Sequence, residues 1–245
     1  MLQEKQSGSW ISLHWWKAIG SALVMYSIIA GLLGKVPVLP ILHESVRNLY
    51  FHVTMWFSML AIFSFSLYYS IMYLSKSNIN DDINAEKFAK TGILLGSLGI
   101  ITGSLWARFT WGAWWVNDPK LNGAAISILI YFAYVVLRNS MDEEQKRAKV
   151  AAVYNIFAYV LMLVFVMVYP RLNEVDSLHP GNGGNPGFSS YDLDKNMRIV
   201  FYPAVLGWIL IGIWISRLSA RIEAIAYKQM NISTDNKINE NDEII

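Results

Sequence analysis

The sequence predicts an all-α integral membrane protein of six transmembrane helices, with both termini cytoplasmic and a tryptophan-rich loop on the outer face. Three observations carry this expectation. Of 245 residues, 54% are hydrophobic and only 16% are charged, whereas a soluble domain carries about a quarter charged residues. The charges fall between long apolar runs, and several of these reach the roughly 20 residues a helix needs to cross a bilayer. Lysine and arginine are also distributed unevenly between the two sets of connecting segments.

The apolar runs place spans at about 17–34, 52–74, 91–108, 124–138, 150–169 and 199–219. Charged or turn-rich segments separate them. The plainest loop signal is Asn182-Gly183-Gly184-Asn185-Pro186-Gly187. Residues 1–226 read as one membrane domain, and the polar segment 227–245 reads as a disordered cytoplasmic tail. The first apolar run lacks a small-x-small cleavage site and is expected to be retained as a span. With the N-terminus inside, the outer segments hold Lys35, Arg47, Arg108, Lys120, Arg171, Lys195 and Arg198, seven of the 20 basic residues, and the inner segments hold the other 13. An inner excess is what the positive-inside rule requires.

Composition also excludes several functions. The net charge is +2 and the basic residues are scattered, so no clustered basic face for nucleic acid is expected. Cysteine is absent, which removes disulfides, thiolate metal ligands and covalent haem attachment through Cys-x-x-Cys-His. In span 3, Gly92, Gly96, Gly99 and Gly103 recur on one helical face. Small residues at this spacing let membrane helices pack closely, so span 3 is expected at the centre of the bundle.

The stretch FTWGAWWVNDPKLNG at 109–123 gathers Trp111, Trp114, Trp115 and Asp118, with Trp106 just before it. If 109–117 were helical, positions 111, 114, 115 and 118 would share one stripe; Pro119 would end any such helix by about Asn117. Two readings stand for the cluster. Tryptophan favours headgroup depth, so it can form an aromatic belt. It can also offer ring faces and N–H donors to a flat conjugated ligand. Histidines flank it in the expected topology: His43 and His52 near the first outer loop, His179 in the last, with His14 on the opposite side. Imidazole is a common axial ligand of haem iron, yet a histidine at a span end or in an exposed loop is equally ordinary. Arg47, Arg108 and Lys120 are candidates for haem propionates and also ordinary anchors of span ends.

WGAWWVNDPKL at 111–121 resembles the W-G-x-W-W-x-W-D-x-R-L signature of the haem-handling proteins of cytochrome c biogenesis, the CcmC/CcmF/CcsA family. RNLYFHVTMW at 47–56 resembles the segment carrying that family's first external histidine, and SLHP at 177–180 stands where the second is expected. A six-span chain of this length is similar to the CcmC branch. The resemblance implies a non-enzymatic inner-membrane protein that binds haem b transiently and non-covalently at the periplasmic side. It implies His52 and His179 as axial iron ligands, with Trp111, Trp114, Trp115 and Asp118 in the haem-presenting loop. It further implies delivery to the haem chaperone CcmE, with the ABC-type components CcmA and CcmB acting in its release. Asn117, Pro119, Lys120 and Asn122 depart from the signature, and lysine at 120 keeps the charge without the bidentate fork of arginine. Two other functions compete with this one. A permease conducting haem through the bundle needs ionisable groups along the spans, and a redox enzyme with intramembrane haems needs histidines at mid-span.

Overall fold

The computed structural model describes residues 10–38, 42–172, 177–179 and 193–242. The glycine-rich loop 182–187 and the last three residues of the tail lie outside them. Six long helices carry the chain: α1 (Trp10–Leu33), α2 (Leu49–Lys76), α3 (Ile79–Trp111), α4 (Pro119–Asn139), α5 (Glu144–Leu163) and α6 (Lys195–Asp242). Each contains a window long and apolar enough to cross a membrane. A six-residue 3-10 turn, His43–Asn48, leads into α2, and a π-helical turn at Val164–Val168 followed by a 3-10 turn at Tyr169–Arg171 extends α5.

The helices run past the apolar windows because a helix does not stop where the lipid does. α3 begins at Ile79, a dozen residues before the span expected at 91, through a stretch holding Asp81, Asp82, Glu86, Lys87 and Lys90. Those residues are poor lipid solutes yet acceptable helix formers, and Asn78 caps the helix by accepting from the Asn80 amide. α2 and α3 are joined by only Ser77 and Asn78, with Ser77 in the left-handed region (φ 50°). α6 is continuous to Asp242, through most of the segment 227–245 that its polarity marks as a tail.

The glycine stripe of α3 meets α2 in antiparallel register. A side chain at Gly103 would strike the His52 ring, one at Gly99 the Trp56 ring, one at Gly96 the Met59 sulfur, and one at Gly92 the Phe63 ring. Without β-carbons, α3 lets the large side chains of α2 seat directly on its backbone, where van der Waals packing drives association. α1 is peripheral and packs on α6, where Gly20 faces Leu210 and Gly207 faces Leu23 and Val24. Fully buried Met59, Ile62, Phe63, Tyr131 and Met162 form the core of the bundle. At the end of the bundle away from His52, Arg138 of α4 makes a buried bidentate pair with Asp82 of α3 at 2.6 and 2.5 Å. Glu86, Lys87 and Glu223 extend that pair into a network reaching α6.

Candidate functional site: a cavity between two histidines

The tryptophan-rich stretch is not a helix of its own. α3 runs through Phe109 and Thr110 to Trp111 and ends at Gly112, whose φ of 77° only glycine adopts without strain. The Arg108 guanidinium donates to the Gly112 carbonyl at this turn. α4 starts at Pro119 with Asp118 as its N-cap. Residues 111, 114, 115 and 118 therefore do not share one helical stripe, since the left-handed residue breaks the periodicity after 111.

His52 lies in the first turn of α2, buried at 7% exposure. Its Nδ1 is 2.9 Å from the Gly99 carbonyl oxygen. A carbonyl only accepts, so Nδ1 is the protonated nitrogen and donates. The lone pair is then on Nε2, the arrangement that a hydrogen bond from the other ring nitrogen imposes on ligating histidines. His179 comes from the segment 177–179, and its ring centre lies 6.2 Å from that of His52 with the planes tilted by 42°. Trp106 and Trp56 stand edge-on to His52 at 5.9 and 6.2 Å, and Trp111 stands edge-on to His179 at 6.5 Å.

A cavity of about 370 Å³ opens between these rings, within the usual range for a small-molecule site. Among its lining residues are His52, His179, Trp56, Trp106, Trp111, Trp115, Lys120 and Arg171. The rest of the lining is mostly aliphatic or aromatic, and among the described residues no carboxylate is part of it. Two cations in an apolar cavity lined in this way suit an anionic edge on an otherwise apolar ligand. Among the described residues, no three histidines, aspartates or glutamates gather to hold a bare metal ion.

The remaining expected residues are placed elsewhere. Trp114 does not line the cavity and is 58% exposed, while its carbonyl accepts from the Ser104 hydroxyl at 2.7 Å. Asp118 is buried and also absent from the lining. Burial pushes its carboxyl pKa up, but the Ser177 hydroxyl and the amides of Leu178, Lys120 and Leu121 outweigh that and hold it below its ordinary value. Arg47 is engaged with Glu44 and with the carbonyls of Gly31 and Gly34. Neither Arg47, Arg108, His43 nor His14 reaches the cavity. Asn117 and Asn122, two of the departures from the signature, bond each other at 2.7 Å, and Asn122 accepts from the Trp115 indole at 3.2 Å. The sequence reading missed Trp56, although its spacing of four from His52 puts it on the same face of α2. It also missed Arg171 as a lining residue: its expected place in an outer segment did not set it apart from Arg47 or Arg108, and it lines the cavity from the 3-10 turn Tyr169–Arg171.

The sequence model of the family described as heme exporter protein C (CcmC) matches residues 5–234. The chain belongs to this family. A heme exporter protein C of Paracoccus denitrificans is 25% identical over 120 residues, covering 49% of this chain and 50% of the relative. Two proteins of Prochlorococcus marinus named cytochrome c biogenesis protein CcsA are 37% and 39% identical over 92 and 75 residues, covering 38% and 31% of this chain. These matches span half or less of the relatives' own lengths: 50%, 29% and 24%. Membership in the heme exporter protein C family thus rests on nearly the whole chain, and the likeness to CcsA on a part of it.

Proposed function

We propose that this chain binds haem b between His52 and His179, on the periplasmic side of the bacterial inner membrane, and hands it to a haem chaperone during cytochrome c maturation. The observation that carries this reading is the 6.2 Å between the two ring centres across a tryptophan-lined cavity. With metal–imidazole bonds of about 2 Å and each ring centre about 1 Å behind its nitrogen, two rings on opposite faces of one iron sit roughly 6 Å apart. A porphyrin brings four nitrogens of its own, so two protein ligands suffice. Its apolar faces suit Trp111 and Trp115, and its carboxylates suit Lys120 and Arg171. His52 is supplied as the tautomer that ligates through Nε2.

The haem is cargo, held without covalent change, and the protein is not an enzyme in this reading. CcmE would be the receiving chaperone, with CcmA and CcmB acting in release of its loaded form. The excess of lysine and arginine in the segments away from the cavity supports an outer location for the cavity. The runner-up reading, a permease carrying haem through the bundle, has against it the fully buried core of Met59, Ile62, Phe63 and Tyr131 below the cavity.

The test is the optical spectrum of the detergent-purified protein loaded with haemin. A six-coordinate low-spin spectrum is expected for the native chain, lost in both His52→Ala and His179→Ala. Binding with an unaltered spectrum in both variants would end the proposal.

A further inference from the structure

Asp118 is the aspartate of the tryptophan-rich signature, yet it faces protein rather than the cavity. It is 1% exposed. Its Oδ1 accepts from the amides of Lys120 at 2.8 Å and Leu121 at 3.3 Å, which caps the first turn of α4. The same carboxylate reaches a segment some 60 residues later in the chain. It accepts from the Ser177 hydroxyl at 3.1 Å on Oδ1 and 2.9 Å on Oδ2, and from the Leu178 amide at 2.7 Å on Oδ2. Ser177 Oγ in turn accepts from the His179 amide at 3.2 Å. One buried carboxylate thus ties the start of α4 to the backbone of His179.

The two histidines differ in how they are held. His52 is built into a helix, wedged over Gly103 and bonded to the Gly99 carbonyl. His179 lies in a non-helical segment, and helical periodicity does nothing to aim it. A ligating side chain needs placement to roughly half an ångström, so a loop ligand depends on bonds from a rigid neighbour. α4 is that neighbour, and Asp118 supplies the bonds.

We infer that Asp118 is a positioning residue that holds segment 177–179 on the N-terminus of α4, so that His179 meets His52 across the cavity, and that it does not itself touch the ligand. The inference rests on the haem reading of the two histidines. It also accounts for the residue type. Asparagine would turn an N–H donor toward the amide or hydroxyl donors that now share the carboxylate. Serine would still cap α4 but is too short to reach Ser177 and Leu178.

That difference in reach separates the two tasks of the carboxylate. The full chain in detergent is titrated with haemin and followed by optical and electron paramagnetic resonance spectra. In Asp118→Ser the capped bundle is expected to melt near the native temperature. Haemin affinity should fall about tenfold, in the range seen when a group that orients a ligating side chain is lost. The low-spin signal should give way to a high-spin one, and added imidazole should restore it by standing in for the misplaced His179. A low-spin spectrum with affinity within about twofold of native overturns the inference, because a role confined to capping leaves both unchanged. If Asp118→Ser fails to fold, Ser177→Ala decides, since it removes one link and leaves the cap intact. A high-spin fraction with about threefold weaker binding, the scale of one lost hydrogen bond, supports the inference, and an unchanged spectrum overturns it. His179→Ala, run alongside, distinguishes the two failures. If it loses the low-spin signal while the Asp118 variant keeps it, the clamp alone is wrong. If it keeps the signal, the ligand assignment has failed first.

Discussion

Gly103 of α3 lies directly against the imidazole of His52, so closely that a β-carbon there would overlap ring atom Cε1. The ring is set by the absence of a side chain on one neighbour and by the Gly99 carbonyl one helical turn away. A glycine stripe that reads as mere helix packing is, at its last member, also the seat of a candidate ligand.

Gly103→Ala should therefore displace the His52 ring without touching its chemistry. Overpacking of this kind costs about 1–3 kcal/mol. The variant should melt at lower temperature and bind haemin at least about tenfold more weakly, as other losses of ligand support do. Gly96→Ala is equally crowded, against Met59 and Ile128. It should lower the melting temperature comparably while leaving the haemin spectrum native. Thermal melts paired with haemin titration check both.

The three tryptophans of the signature should not be equivalent. Trp111 and Trp115 line the cavity and Trp114 does not. Truncating a ring that stacks on a ligand loses its buried area and about 0.5–1.5 kcal/mol beyond it. Trp111→Ala and Trp115→Ala should each weaken haemin binding about tenfold. Trp114→Ala should leave affinity near native in the same titration.

Lys120 and Arg171, the latter with one donor on the Met167 carbonyl, line the cavity, whereas Arg47, bonded to the Gly31 and Gly34 carbonyls, lies outside it. Hydrogen bonds to charged groups contribute about 1.5–3 kcal/mol. Lys120→Ala and Arg171→Ala should therefore each reduce haemin affinity about tenfold or more. With haemin dimethyl ester, which carries no carboxylate charge, the native chain and both variants should bind alike. Arg47→Ala should lower stability and preserve the discrimination between acid and ester.

At the far end of the bundle, Arg138 and Asp82 form a buried bidentate pair, with Glu86 also within 3.4 Å of the guanidinium. Removing one member of such a pair strands a buried charge at a cost of about 3–5 kcal/mol. Arg138→Met should therefore destabilise the bundle more than Gly103→Ala or Gly96→Ala. Arg138→Met combined with Asp82→Leu should recover part of the loss. Denaturation in detergent, compared across the single and double variants, measures the coupling.

The spans were legible in the sequence because crossing a bilayer demands a continuous apolar length, a property of the chain read locally. The expected windows at 17–34 and 52–74 fall within the helical spans His14–Leu33 and His43–Lys76 to within a residue. Hydropathy measures lipid exposure rather than backbone state, so the polar first turns of α3 escaped it. The glycine stripe pointed to close packing around α3, and α2 supplies the partner.

The site was legible in a different way. Trp111, Trp115, His52 and His179 stand out as a tryptophan cluster flanked by histidines, the resemblance to a family gives them their roles, and they do line one cavity. Their spacing along the chain could not have shown that, because 127 positions separate the two histidines and proximity between them is a tertiary fact. The directions in which side chains point were also beyond the sequence. Trp114 is exposed after a left-handed glycine, Arg171 lines the cavity from a 3-10 turn, and Asp118 is buried as an N-cap. By itself the sequence determined a six-span helical bundle, since apolar length and period are local. Only the tertiary structure decided which imidazoles, indoles and cations face one another, since that depends on how helices cross and where each one is capped.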